Sequence, residues 1–434
     1  MHINVYKYFI LSIFLVSVIS CQASLNDYLD SYSFDKTNNE FEKNTEQKQY
    51  LIISDKSIIP LTEDFQNHKR DLGFNVSAIP LNVIYSNVDR EIEKIEKLRN
   101  FIIEEKNTEN TEYVLLIGSP KIIPMLKLKS HNFFNEEITI PTDKVYEDLE
   151  SNWGLNGEDP DIKYNHNVFL GRIPFDKSSV ISKILSNTIE YETMKGTDLF
   201  FRKQARLLGG SFTRAYLRID TSRFPIDSNG FLLNPLNNMV FFKADVPTFS
   251  MYEEGLQGAD VVLNKDSLVE QWNANDFGFV YTLAHGSPST ASIYQPRREP
   301  FLHPDIIKKI TNPFPVVLFS ASCSNGAPNG NSFNGTLTDA LLKNNVIVYL
   351  AATQEVSPIE QQDLRHPIAT IRDIPGITAQ MVLVGSYILR GNSVGESLAA
   401  ALNYYIDNVY YPLSPVAHTN LLAPQIYGDP SVRF

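Results

Sequence analysis

Two side chains in this 434-residue sequence have the types and placement for covalent chemistry: His285 and Cys323. Each follows an apolar, strand-length run, Phe277–Ala284 before the histidine and Pro315–Ala321 before the cysteine. Small and polar residues come next, Gly286 in one case and Ser324-Asn325 in the other. A thiol with an ordinary pKa of about 8.5 is a weak nucleophile until a base or a positive neighbour raises its thiolate fraction. An imidazole with a pKa near about 6.5 can take that proton and later return it to a leaving amine. Gly286, lacking Cβ, lets a backbone N–H approach a reacting carbonyl, and the N–H of Cys323 is the natural second donor of an oxyanion hole. The same residues also fit a plainer reading, a buried cysteine closing a strand and a loop histidine beside a turn.

The elements that would position this pair follow the α/β pattern. Leu302–Ile310 reads as a short helix, so the two apolar runs become parallel strands joined by a crossover. In such sheets ligands and chemistry gather at the carboxyl ends of the strands, which puts His285 and Cys323 on one rim. Upstream, Tyr50–Ser54, Phe74–Pro80 and Tyr113–Ile117 read as buried strands, separated by helical segments at Glu63–Gly73 and Asp89–Glu105. Val168–Pro174, Arg206–Phe212 and Val346–Ala352 continue the strands; Lys177–Thr193, Gly335–Lys343, Met381–Leu389 and Val394–Asn408 continue the helices. Thr142–Arg172 is expected to be irregular. No nucleotide-binding glycine pattern follows any of these strands.

Other motifs give way to simpler readings. Gly391-Asn392-Ser393-Val394-Gly395 matches GxSxG, but a nucleophile elbow needs a strand before the serine, and a helix precedes it here. Ser393 and Glu396 instead make the S-x-x-E capping box that opens the next helix. No HExxH occurs and the remaining histidines lack metal-ligand spacing, so a catalytic metal is not expected. Trp153 and Trp272 read as packing residues, with Trp272 close enough to the His285 strand to line a cleft instead. Glu158, Asp159 and Asp161 form an acidic cluster matching no EF-hand loop, which favours a solvated surface.

The ends and the charge balance bound the class. Hydrophobic content of 43% with 20% charged residues is that of a globular protein, and a formal net charge of −12 offers no basic footprint for nucleic acid. Tyr8–Ile19 is an apolar run too short to span a bilayer and suited to a signal peptide. It ends in Val18-Ile19-Ser20-Cys21, which resembles a bacterial lipobox in which Cys21 is lipidated. Residues 22–49 are polar and read as a flexible tether. The sequence holds two cysteines, so lipidation of Cys21 leaves Cys323 a lone thiol in an exported chain, a condition that nucleophilic catalysis explains. The expected organisation is a lipoprotein signal peptide at 1–21, the tether at 22–49, an N-terminal α/β subdomain at 50–196 and a catalytic subdomain at 197–434. The expected location is the bacterial cell envelope, anchored to a membrane.

The His-Gly and Ser-Cys-Ser-Asn motifs, each following a strand, resemble the gingipain-type cysteine peptidases, peptidase family C25 of the caspase-like clan. Leu115–Gly118 with Ile123-Pro124, Thr142-Asp143, Tyr146–Asp148, Leu170–Pro174, Val394–Leu398 and Gly428–Ser431 resemble the family in the same order, over residues 50 to 434. The resemblance implies a caspase-like α/β/α sandwich of two subdomains with mostly parallel sheets. It implies a Cys323–His285 dyad that cuts peptide bonds of protein or peptide substrates through a thioester, with no cofactor in the chemistry. It also implies structural calcium, for which Glu158, Asp159 and Asp161 are the candidates, and an acid in the substrate pocket, for which Glu355, Glu360 and Asp363 lie in the right region. Two alternatives stand beside hydrolysis: a sortase-like transpeptidase that passes the acyl group to an amine on exported proteins, and a non-catalytic binding lipoprotein on the same fold.

Overall fold

The computed structural model describes residues 47–132, 136–209, 247–254, 259–293, 298–356, 376–408 and 415–434. The first half of the chain supplies β1 (Gln49–Ser54), β2 (Asn75–Pro80), β3 (Thr111–Ile117), β4 (Leu126–His131), β5 (Glu137–Thr142) and β6 (Phe169–Ile173). The second half supplies β7 (Ala205–Gly209), β8 (Thr248–Tyr252), β9 (Val261–Val262) and β10 (Phe279–Leu283). After β10 come β11 (His285–Ser287), β12 (Thr290–Ile293), β13 (Glu299–Leu302), β14 (Val316–Ala321), β15 (Val346–Ala352) and β16 (Pro424–Gly428).

Eleven of these strands join in one sheet, ordered β2-β1-β3-β6-β16-β15-β14-β10-β7-β8-β9. Its central strands are apolar throughout because helices cover both faces; such strands read as continuous runs of Val, Ile, Leu and aromatic residues. The pleat sorts those side chains by parity. Leu51 and Ile53, Phe279, Tyr281 and Leu283, and Val317, Phe319 and Ala321 enter one core. Tyr50 and Ile52, Val280, and Val316 and Leu318 enter the other. Neighbouring strands are parallel except at one seam, where β15 and β16 run antiparallel. The seam divides the sheet into an N-terminal set, completed by the last strand β16, and a second set holding β10 and β14.

The long expected strands and helices are present. Val346–Ala352 forms over the expected residues, and the expected helices at 89–105 and 177–193 occur at Glu91–Glu109 and Ser178–Thr193. Three features differ from expectation. Between β10 and β14 the chain does not cross over through a single helix: it first builds the antiparallel sheet β11-β12-β13, and the helix shrinks to Pro304–Ile307. A β4–β5 hairpin precedes the irregular segment. Pro424–Gly428, not among the expected strands, is a central strand of the main sheet. The strands β11–β13 are three or four residues long and carry Gly, Ser and Pro, so no periodicity announces them. Among the described residues no helix is long and apolar enough to cross a membrane.

Candidate active site

The rim chemistry begins with the register of two strands. β10 and β14 are parallel neighbours, with Phe279 opposite Val317 and Leu283 opposite Ala321. His285 and Cys323 each lie two residues beyond that last matched pair. Both strands end at that pair, whose side chains enter one core. Cys323 packs against that core and is partly exposed, while His285 is 8% exposed.

Both residues are held in short, sharply bent segments. His285 opens β11, where it pairs with Ser292 across an antiparallel ladder. Cys323 sits in a turn whose next residue, Ser324, takes a left-handed φ of 53°. That conformation is uncommon outside glycine and asparagine, and here two ladder-like bonds impose it. The Ser324 N–H donates to the Gln354 carbonyl at 3.0 Å, and the Gly326 N–H donates to the Ala352 carbonyl at 2.8 Å. The loop leaving β15 is therefore stitched to the thiol turn, and the Tyr427 hydroxyl from β16 bonds to the Gly326 carbonyl.

Gly286 is where the two segments touch. A Cβ built on it would lie 2.3 Å from the Cys323 carbonyl oxygen, 2.7 Å from Asn325 Nδ2 and 2.9 Å from Ser322 Cβ. Only a residue without a side chain permits this approach. The expected glycine thus has a physical reason, close backbone packing of the histidine strand on the cysteine turn.

Asn325 fastens the same contact. Its side chain is fully buried, and Nδ2 donates to the Ser287 carbonyl at 2.7 Å and the Thr290 carbonyl at 2.8 Å. The Ser320 hydroxyl donates to its Oδ1 at 3.0 Å. The Asn325 carbonyl in turn accepts from the Thr338 hydroxyl at 3.3 Å, and the Leu337 N–H donates to the Pro288 carbonyl at 2.8 Å. Sequence reasoning gave Asn325 no role of its own; its one signal is its position two residues past the thiol.

The thiol donates to the Val356 carbonyl at 3.3 Å. Burial pushes its pKa up to about 11, the Glu355 carboxylate adds to the rise, and backbone contacts offset part of it. Glu355 is exposed and lies close enough for its charge to reach the sulfur. Glu360, Asp363 and Cys21 fall outside the described residues.

The remaining expectations resolve as follows. Glu158, Asp159 and Asp161 are exposed, with Glu158 taking a bond from Asn152 at 3.3 Å. Among the described residues no three His, Cys, Asp or Glu side chains are grouped to hold a metal ion, so the implied calcium does not fit this cluster. Asp143, Glu147 and Asp148, from the same irregular segment, are buried rather than solvated; Asp143 and Glu147 are ion-paired. Trp153 and Trp272 are core residues at 3% and 2% exposure, which settles Trp272 as packing. Ser393 is fully buried and caps the helix Val394–Asn408: the Glu396 N–H donates to its hydroxyl at 3.2 Å, and its own N–H donates to the Glu396 carboxylate at 2.8 Å. It is no nucleophile.

A large, mostly parallel sheet with flanking helices defines the caspase-like α/β class. The sequence profile of peptidase family C25 matches residues 43–434, and the chain belongs to that family, making it a cysteine-type peptidase. Among solved structures it is similar to the Arg-specific cysteine proteinase gingipain R (RgpB), with a TM-score of 0.63, 16% identity, and 90% of this chain and 79% of that one covered. It is also similar to the complex of the Porphyromonas gingivalis RgpB pro- and mature domains, with a TM-score of 0.62, 18% identity, and 89% and 79% covered. At these identities the likeness speaks for the fold. No curated protein sequence matches the chain.

Proposed function

We propose that the chain is an endopeptidase in which Cys323 is the nucleophile and His285 the general base and acid. The single observation that carries this reading is the β10–β14 register, which sets both residues two positions beyond matched strand ends, with Gly286 against the Cys323 carbonyl. In the reaction the thiol proton passes to His285 and the sulfur attacks the scissile carbonyl. The N–H groups of Gly286 and Cys323 receive the oxyanion. Collapse expels the amine, which takes the proton from His285, and leaves a thioester that water hydrolyses. Glu355, exposed near the sulfur, adds a negative charge beside the thiol.

The test is cleavage of fluorescent casein by the chain lacking residues 1–21. Cys323→Ala and His285→Ala are each expected to lower the rate by about 10³-fold or more, as loss of a nucleophile or its base does in other acyl-transfer enzymes. A folded Cys323→Ala protein that still cleaves casein at the parent rate refutes the assignment.

The anchoring reading rests on Tyr8–Ile19 and the lipobox-like Val18–Cys21, and gives an envelope protein tethered through residues 22–49. Cells fed a clickable fatty acid are expected to label the parent chain and not Cys21→Ser. Equal labelling of both excludes lipidation at Cys21.

A further inference from the structure

We infer that Asn325 is a positioning residue for the reaction, fixing the distance between the imidazole and the thiol. This deepens the proposed Cys323–His285 assignment and rests on it. The His285 segment and the Cys323 turn belong to different sheets, β11-β12-β13 and the main sheet, which share no ladder among the described residues. The β10–β14 ladder that leads into both segments stops at Leu283 and Ala321, so beyond it something other than strand pairing must hold them together. Asn325 does so with a single side chain: Nδ2 spends its two hydrogens on the Ser287 and Thr290 carbonyls, the two ends of the β11–β12 turn, at 2.7 and 2.8 Å. Its Oδ1 is anchored by Ser320, which lies inside β14 opposite Thr282. The clamp therefore runs from the strand that carries the cysteine to the hairpin that carries the histidine.

The amide is chemically required. Two carbonyl oxygens face one end of the side chain and a hydroxyl faces the other, so each polar atom of the amide has the partner it needs. A carboxylate of the same shape would put oxygen against both carbonyls, and removing the amide would take the Asn325 donor from two partly buried carbonyls. Either change loosens the hairpin at Gly286, where the backbone already lies against Cys323. A displacement of about 1 Å in a catalytic pair can cost about 10²-fold in rate.

The experiment compares the parent with Asn325→Asp, Asn325→Ala and Ser320→Ala, using a fluorogenic peptide chosen from a P1 profile. Rates are normalised to folded protein by circular dichroism. The expected result for Asn325→Asp and Asn325→Ala is a kcat lower by about 10²-fold, with KM within about threefold of the parent. Ser320→Ala should move kcat the same way by a smaller factor. An unchanged kcat per folded molecule, or a change confined to KM, overturns the inference and leaves the Cys323–His285 assignment standing. If neither Asn325 variant folds, Ser320→Ala decides alone: a reduced kcat supports the clamp and an unchanged one refutes it. Activity retained by Cys323→Ala would instead remove the assignment on which the inference rests.

Discussion

Burial and the nearby Glu355 charge push the Cys323 pKa up to about 11, and the thiol donates to the Val356 carbonyl at 3.3 Å. A protonated thiol is a weak nucleophile, so under the proposed function its reactivity depends on proton transfer to His285. The chain lacking residues 1–21 has Cys323 as its remaining cysteine, which makes the prediction direct. Its alkylation by iodoacetamide is expected to rise about tenfold per pH unit from 7 towards 10 and to level near 11, since only the ionised form reacts and raising pH populates it. A rate that is already flat below pH 7 would mean a preformed thiolate–imidazolium pair. The placement of Cys323 and His285 just past two strand ends was legible in the sequence, since each follows an apolar run. The roles of Asn325 and Ser324 were not: one depends on a hairpin without periodicity and the other on a backbone angle set by the loop after β15.

At the scale of elements, the helix Val394–Asn408 shows how a motif and its context decide between chemistries. Ser393 satisfies one of the N–H groups orphaned at the start of that helix, while Glu396 reaches back to the Ser393 N–H. The Tyr113 hydroxyl, on β3, also donates to Glu396 at 2.8 Å, so the cap doubles as a link between helix and sheet. Ser393→Ala is expected to lower stability by about 1–2 kcal/mol, read as a lower denaturant midpoint, with peptide cleavage per folded molecule unchanged. Loss of cleavage without loss of stability would restore a catalytic reading of the serine. The capping spacing was visible in the sequence because it is local. The β11–β13 sheet was not, because its strands are stabilised by packing over the rim and not by their own composition.

For the whole molecule, the seam between β15 and β16 is the organising feature. It makes the C-terminal strand part of the N-terminal half, and charged networks fasten it there. Lys69, fully buried, pairs with Glu192 at 2.7 Å and with Asp429 at 2.6 Å, and the Tyr50 hydroxyl donates to Asp429 at 2.8 Å. Two helices, β1 and the residue after β16 meet at that point. Arg172 on β6 is likewise fully buried, and grips Asp143 with bonds of 2.6 and 2.7 Å while donating to the Gly118 and Ile123 carbonyls. Its bidentate geometry and two further carbonyl acceptors offset much of the cost of removing the charges from water. The two halves have thus put their strand ends to different uses: the ends of β10 and β14 hold the candidate thiol and imidazole, while the end of β6 is closed by a satisfied ion pair.

The sequence by itself determined the buried strands, the long helices and the serine cap, and it singled out the two candidate side chains. All of these are written in local pattern: continuous apolar runs, helical spacing, or residue type at a strand end. The tertiary structure decided what depends on contacts distant along the chain. It joined β16 to the N-terminal half, and buried Asp143 and Glu147 while leaving Glu158, Asp159 and Asp161 of the same acidic segment exposed. It also clamped the histidine hairpin to the cysteine turn through Asn325. Hydrogen-bond partners 35 and 38 residues away fix that clamp, and nothing in the local sequence could name them.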